Sequence, residues 1–218
     1  MKCRDRVIVG LMAAWVLLIC GCGGKRVNSP EDSVLKNNVY TNKFFSFGVQ
    51  IPDTWTVLKK PTVREMRNAA EALNSGNKQA ASATLQSMAR VHSLLLARNV
   101  VVGMSITVTA ESVAHTPEIQ TGQEYLEHAL DLFTGSDKPL QRVGPITAVQ
   151  LFGREFYRVD LTGNLMGARQ HQAMFARIEK GHALIFALTA KSPPAVEEAI
   201  AMVGMDGSVP PLAAAPKT

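Results

Sequence analysis

The sequence predicts an α+β fold in which an antiparallel β-sheet is sandwiched between α-helices. Apolar residues alternate along several short segments, as in Phe45, Phe47, Val49 and Ile51, which is typical of strands with one buried face. Four such segments follow one another between residues 143 and 190 with only tight turns between them, which favours antiparallel pairing. Segments with helical spacing come before and after them. The 218 residues, 46% of them hydrophobic, suit one domain with a sizeable core.

The first elements are two strands and a pair of helices. The alternation predicts a strand over residues 44–51, and Pro52-Asp53-Thr54 then turns the chain into a short strand over residues 55–58. Thr62 and Glu65 have the spacing of a capping box, and a helix is expected after them. Residues 74–77 interrupt it, and a second helix is expected over residues 78–97, with Val91 and Leu95 on its inner face. Residues 61–98 are therefore predicted to form an inserted helical hairpin.

The remaining elements follow from the same two periodicities. A strand is expected over residues 99–109, where Val100, Val102, Met104, Ile106 and Val108 alternate. A second capping box, Thr121 to Glu124, predicts a helix whose apolar stripe is Leu126, Ala129, Leu130 and Phe133. Strands are expected over residues 143–150, 155–162, 169–178 and 183–190. Ser192 and Pro193 predict the start of a last helix, which Gly204 can end.

The three turns of the last four strands predict a register. A two-residue hairpin loop at Lys180-Gly181 sets Phe175 opposite Phe186 and Ala173 opposite Leu188. A turn near Leu165-Met166 sets Tyr157 opposite Phe175 and Val159 opposite Ala173, and Phe152-Gly153 sets Ala148 opposite Tyr157 and Ile146 opposite Val159. This register predicts a core row of Tyr157, Phe175 and Phe186. A slip of one residue would move a strand's side chains to the other face.

The same register predicts a polar contact face on the other side of these strands. It gathers Thr147, Arg158, Asp160, Gln170 and Gln172 on one face. Because a face covered by helices is normally apolar, these residues suggest a window that is open to solvent or to a partner protein. The competing interpretation is an internal Arg158–Asp160 ion pair with solvated glutamines.

The N-terminal segment has the order of a bacterial lipoprotein signal. Residues 1–6 carry three basic residues, residues 7–19 are uncharged, and Gly21-Cys22-Gly23 follows. Residues 18–22 resemble the lipobox, with Gly21 before the lipidated cysteine, which implies a diacylglycerol on Cys22. Cys20 is a poorer candidate, because Ile19 would then precede it. An uncleaved membrane helix over residues 7–22 would span about 24 Å, less than the ~30 Å of a hydrocarbon core.

This signal sets the predicted domain organisation. Residues 1–21 are a signal peptide, 22–38 a lipidated flexible tether, 39–204 the single domain and 205–218 a disordered tail. The expected location is the cell envelope, with the protein lipid-anchored in the outer membrane and facing the periplasm. Gly23, rather than Asp, after the cysteine resembles the default for outer-membrane sorting in enteric bacteria.

Two stretches resemble the Mog1/PsbP-like superfamily. Residues 40–55, YTNKFFSFGVQIPDTW, are similar to its aromatic first strand and its Pro-x-x-Trp turn, and residues 152–160, FGREFYRVD, are similar to its central hairpin. The similarity covers residues 39–204, with residues 61–99 as an insertion. It implies an α/β/α arrangement. Members of the superfamily bind photosystem components or a small GTPase, and none of their binding residues maps onto this chain.

The remaining residues do not form a recognisable catalytic or metal-binding motif. The histidines His92, His115, His128, His171 and His182 have no metal-ligand spacing, and neither a phosphate loop nor a nucleophile elbow is present. All three cysteines lie in the first 22 residues, so the mature chain would have no disulfide and no cysteine-based metal site. Its net charge of about +3 is scattered, which argues against nucleic acid as a partner.

The function predicted from these observations is contact rather than chemistry. The expected protein is a non-catalytic envelope module that binds a protein partner or assists assembly, with no cofactor and no metal site. The alternatives are a domain that binds a small ligand or an ion, and a hydrolase with an unrecognised site.

Lipidation of Cys22 is testable directly. Mass spectrometry of the mature N-terminus should find an acylated Cys22 and no residues 1–21. A Cys22→Ser protein should leave the detergent phase or remain unprocessed. A wild-type protein with an unmodified N-terminus in the aqueous phase would contradict the prediction.

Overall fold

The computed structural model describes residues 29–60, 64–65, 68, 89–133, 140–165 and 168–205. The small N-terminal strands are β1 (Ser33–Lys36), β2 (Val39–Asn42), β3 (Phe47–Gln50) and β4 (Thr56–Val57). A longer hairpin and a helix follow, namely β5 (Val91–Asn99), β6 (Met104–Ser112) and α1 (Gly122–Phe133). The last elements are β7 (Leu140–Leu151), β8 (Arg154–Leu165), β9 (Ala168–Glu179), β10 (His182–Ala190) and α2 (Pro193–Met202).

The strands form two antiparallel sheets. The larger has seven strands in the order β4-β5-β6-β10-β9-β8-β7, and the smaller has the order β1-β2-β3. Every pairing between neighbouring strands is antiparallel. The predicted α+β fold with an antiparallel sheet is therefore confirmed, and the four-strand meander β7–β10 follows the expected order.

The two faces of the large sheet carry different layers. Leu126 and Leu130 of α1 pack with Val159, Leu161 and Met174 on one face. On the other face, α2 and the small sheet share one core, which contains Phe47, Phe156, Phe175, Phe186, Val196 and Ala199. Side chains alternate between these two cores along β9 because successive residues of a strand point to opposite faces. On this face the large sheet is therefore covered by α2 together with the small sheet. The prediction was that helices alone would cover both faces.

Phe186 joins the small sheet to the large one. Its ring is fully buried and lies 5.0 Å from that of Phe47 on β3, in an edge-to-face arrangement. Phe152 and Phe156 lie 5.5 and 5.7 Å from it. These separations are in the range where aromatic pairs stabilise beyond the area that they bury. A polar contact supports the same joint, because Arg154 Nη1 donates to the carbonyl of Phe45 at 2.8 Å.

The helix ends confirm the predicted capping signals. Thr121 N donates to Glu124 Oε2 at 2.8 Å, and Glu124 N donates to Thr121 Oγ1 at 3.2 Å, which is a reciprocal capping box. Backbone hydrogen bonds from Gln120 and Thr121 lower the pKa of the Glu124 carboxyl. Ser192 Oγ accepts from Ala195 N at the start of α2, which has Pro in its first turn. Gly204, at φ +70°, follows the end of α2, as expected for a left-handed cap.

Three of the predicted elements are wrong in part. Residues 91–98 of the expected helical hairpin belong to β5, because they pair with β6. The rest of that hairpin lies almost entirely outside the described residues. Residues 100–102, expected in a strand, form the turn between β5 and β6. The tether predicted over residues 22–38 ends earlier, because residues 33–36 pair with β2. The signal peptide, Cys22 and the tail from residue 206 lie outside the described residues.

The predicted register is correct at two turns and wrong at the third. Phe175 lies opposite Phe186 and Ala173 opposite Leu188, and Ala148 lies opposite Tyr157, as expected. Between β8 and β9, however, Leu165 pairs with Ala168, so that Arg158 lies opposite Phe175. This one-residue shift turns Tyr157 toward the α1 face, where it is half-buried. Phe156 takes its place in the core row.

The expected pair of Ile146 and Val159 does not form in the described register. The β7–β8 ladder shifts between Val143 and Thr147. Gly144 in this segment has φ +75°, and the following Pro145 has no N–H to donate. A bulge at this point follows from both residues.

Truncation of Phe175 tests the core row. Phe175 is 2% exposed and faces Phe186 across the strands, so Phe175→Ala should destabilise the domain by about 3–5 kcal/mol through a cavity. Urea unfolding followed by tryptophan fluorescence measures this, because Trp55 is buried in the same core. A loss below about 1 kcal/mol, the usual range for exposed positions, would contradict the packing.

Candidate interaction surface

Four of the predicted contact residues, namely Arg158, Asp160, Gln170 and Gln172, do not share a face. Directly opposite residues in a ladder point to the same side, and Arg158 lies opposite Phe175 whereas Gln172 lies opposite Leu161. Arg158 and Asp160 therefore lie on the α2 face, while Gln170 and Gln172 lie on the α1 face. The predicted single contact face is wrong because of the shift in the β8–β9 register. Whether any one of the four contacts a partner stays untested.

Arg158 is held by groups of the domain itself. Its Nη2 lies 2.8 Å from Asp160 Oδ1, and it also pairs with Glu197 of α2. Its guanidinium lies 5.5 Å from the ring centroid of Phe175, a cation–π geometry. Burial lowers the pKa of Arg158, but the Glu197 and Asp160 carboxylates outweigh this and raise it overall. Arg158 thus fastens α2 to β8, in agreement with the internal ion pair that was the competing interpretation.

Gln172 and the α1 face also make internal contacts. Gln172 Nε2 donates to Thr189 Oγ1 at 3.0 Å across the β9–β10 ladder. Tyr125 Oη of α1 donates to Glu111 Oε2 at 2.6 Å, and burial, followed by the Glu111 carboxylate, raises the pKa of Tyr125. The first contact links β9 to β10 within the sheet, and the second attaches α1 to β6.

The outer edge of β7 is an exposed surface that was not predicted from the sequence. Among the described residues, β7 pairs only with β8, so one side of its backbone meets no other strand. From Val143 to Leu151 it carries no charged residue. Most of its side chains are exposed on both sides of the sheet, including Val143, Thr147 and Ala148. Proteins usually protect edges with charges, so an uncharged edge of this length is available for pairing.

The turn between β5 and β6 presents the most exposed apolar group among the described residues. We call Val100, Val101 and Val102 the valine tip, and their exposed fractions are 72, 84 and 45%. Asn99 Oδ1 accepts from Val101 N at 3.0 Å and from Val102 N at 3.3 Å, and Gly103 N donates to Asn99 O at 3.0 Å. Val100 and Val102 were expected in a strand, although the flanking Asn99 and Gly103 are residue types that favour turns.

A cavity of about 160 Å³ lies between β1 and the β4–β5 pair. Tyr40, Leu94 and Leu95 line it, together with Lys59 and Lys60 at its edge. The Tyr40 hydroxyl is buried without a hydrogen-bond partner among the described residues, and burial raises its pKa. Small-molecule pockets usually enclose roughly 300–1,000 Å³, so this cavity is small for a ligand site.

Neither a metal cluster nor a membrane-spanning helix is found among the described residues. In those ranges, no three histidine, cysteine or acidic side chains are placed to hold one ion. The helices described in the structure are too short or too polar to cross a bilayer.

Comparison with known proteins gives structural similarity only. Neither a family model nor a curated protein sequence matches the chain. Cyanobacterial PsbP, CyanoP, from Synechocystis sp. PCC 6803 is similar in structure, with a TM-score of 0.47 and 11% identity over 87% of this chain and 96% of that one. LpqN of Mycobacterium tuberculosis, which is involved in cell envelope biogenesis, has a TM-score of 0.40 and 11% identity over 71% of this chain and 78% of that one. A Pseudomonas aeruginosa protein of unknown function has a TM-score of 0.38 and 17% identity over 49% of this chain and 72% of that one.

At such identities no residue's role is transferred from these proteins to this one.

The role of Arg158 in attaching α2 can be measured. Arg158→Ala should destabilise the domain by about 1–2 kcal/mol, because it uncovers the Phe175 ring and removes the cation of Asp160 and Glu197, two carboxylates that solvent partly screens. Gln170→Ala, on the other face, is the matched control and should change stability by less than about 0.5 kcal/mol. Equal effects of the two substitutions in chemical unfolding would show that Arg158 is not part of a structural network.

Proposed function

We propose that this protein is a lipid-anchored, non-catalytic module of the bacterial cell envelope that binds an extended segment of a partner protein along the outer edge of β7. The anchor is the lipid on Cys22. The observation that supports the binding mode is the uncharged, unpaired edge of β7 among the described residues. An added strand gains backbone hydrogen bonds at such an edge and sequence preference from alternate side chains.

The two halves of β7 are suited differently to an added strand. The bulge between Val143 and Thr147, with Pro145, interrupts the ladder and protects the first half from unwanted pairing. From Thr147 to Leu151 the pairing with β8 is regular. This half therefore offers about five residues of straight edge, a length that is common for strands in proteins.

The position of β7 keeps this edge accessible. It is the terminal strand of the large sheet, six strands away from β4 at the other end. At about 4.8 Å per strand, that places the edge roughly 29 Å from the β4 edge. A partner strand on β7 would therefore not contact the small β4 edge or the cavity beside it.

Binding of a small ligand is the second candidate, and the cavity beside Tyr40 favours it. Its volume of about 160 Å³ would admit only a few atoms. Its lysines, Lys59 and Lys60, suit an anionic group. Saturable binding of a small anion by the purified protein, abolished by Lys59→Gln together with Lys60→Gln, would favour this function over strand addition.

A proline scan of β7 tests the binding mode. In an antiparallel ladder the N–H groups of adjacent residues point alternately toward and away from the neighbouring strand, so Thr147→Pro and Ala148→Pro affect opposite edges. One variant should lose thermal stability because it breaks a β8 hydrogen bond. The other should keep its stability and lose only the outward donor, which makes the pair its own matched control.

The readout is photocrosslinking in living cells. A benzoyl-phenylalanine at Gln150 should give a crosslinked product of one discrete mass, and the same probe at exposed Lys36 should not. The stable proline variant should abolish that product. A product that survives both prolines, or turnover of a substrate by purified protein that one substitution abolishes, would contradict the proposal.

A further inference from the structure

The valine tip is an apolar surface that backbone hydrogen bonds keep exposed to solvent. Three adjacent β-branched residues are exposed at 72, 84 and 45%, although single exposed apolar residues are the usual case. The side chain of Asn99 accepts from two backbone N–H groups of the tip, and Gly103 closes the turn at φ +72°. The valines therefore cannot retract into the core without breaking these bonds.

Two cations lie at the base of the valine tip. Arg98 directly precedes Asn99 and is exposed. The aliphatic part of Lys191 packs over Gly103, so close that a Cβ at this glycine would lie 2.6 Å from Lys191 Cε. Neither cation forms an ion pair within the described part of the chain. The base of the tip thus combines apolar side chains with two unneutralised positive charges.

We propose that the valine tip, with Arg98 and Lys191, is a second membrane contact that docks on an anionic lipid surface. Apolar side chains at a loop end enter the boundary between headgroups and acyl chains, and nearby basic residues attract anionic headgroups. The charge complementarity favours a bilayer, because bilayers present a dense anionic surface without any specific partner. This contact goes beyond the anchor at Cys22 and needs no lipid on that cysteine.

The length of the chain before the domain permits this contact on the membrane that holds the anchor. The domain begins beside His92, whose Nδ1 lies 3.2 Å from Glu31 Oε1. From His92 to Asn99 the strand rises about 23 Å. Seven steps from Cys22 to Ser29 span up to about 25 Å, so a tilted domain can bring its tip to the same bilayer. This orientation, unlike vesicle binding itself, rests on the proposed lipid anchor.

Vesicle flotation tests the inference without the lipid anchor. The probe is a set of vesicles with 30 mol% phosphatidylglycerol in phosphatidylcholine, and the protein is the chain from residue 22 with Cys22→Ser. The test protein with an unchanged valine tip should float with these vesicles. It should bind more weakly to vesicles of pure phosphatidylcholine. Combined Val100→Ser, Val101→Ser and Val102→Ser should weaken binding at least tenfold. Arg98→Gln and Lys191→Gln should each weaken it about fivefold, on anionic vesicles only.

Matched control variants distinguish binding through the valine tip from non-specific binding of the protein to vesicles. Val143→Ser removes an exposed valine on β7, and Lys36→Gln removes an exposed lysine on β1, so neither should change vesicle binding by more than the measurement error. Circular dichroism should show that all variants are folded. Val101→Trp adds an exposed tryptophan to the protein in addition to the buried Trp55. The fluorescence of the new tryptophan should shift to the blue on anionic vesicles.

Two results would overturn the inference. One is a wild-type protein that does not float with anionic vesicles, and the other is undiminished flotation of the triple serine variant. In the first case, a protein crosslinked from position 101 in cells would assign the tip to a protein partner instead. Because the test protein has no acyl chain, failure of lipidation at Cys22 cannot produce either result.

Discussion

The packing of aromatic rings around Phe186 is the contact on which the architecture depends. Phe47 of the small sheet, Phe152 of the β7–β8 turn and Phe156 of β8 all lie within 6 Å of that ring. Polar contacts hold the small sheet at the same place, since Gln50 N of β3 donates to the carbonyl of Val203 at the end of α2 at 3.3 Å and Arg154 donates to the Phe45 carbonyl at 2.8 Å. The position of Ser29, where the described chain begins, depends on the small sheet. The direction from which any tether arrives at the domain is therefore a consequence of this packing.

The alternation of apolar residues was enough to predict the long strands and the capped helices, because burial of one face imposes that pattern. It was not enough for residues 91–98, where Leu94, which lies at an irregularity in the β5–β6 pairing, and the adjacent Leu95 are both buried. Two adjacent buried leucines suit a helix as well as a bulged strand. The β8–β9 register failed for a similar reason. A shift of one residue at a turn costs little locally but exchanges the faces of the whole strand.

This exchange of faces also explains why the predicted contact surface was wrong. Arg158 and Asp160 seemed to need an external role because the predicted register placed them with Gln170 and Gln172. In the structure, Arg158 reaches Glu197 on α2, a contact between residues 39 positions apart that no local pattern reveals. The β7 edge and the valine tip were missed because they depend on which strand is terminal and where a turn begins. Both could have been suspected from the absence of charge in residues 143–151 and from the Asn99–Gly103 turn signal.

The two proposals together place the tip at the membrane and the β7 edge in water. Spin labels measure this directly, because every cysteine lies at or before Cys22, so that the proposed acylated chain would have no free thiol. A label at Val101→Cys and one at Ala148→Cys can be compared on the lipidated protein in anionic vesicles. The account predicts that the label at residue 101 collides preferentially with oxygen dissolved in lipid, and the label at residue 148 with a water-soluble nickel complex. Equal exposure of both labels to the nickel complex would contradict it.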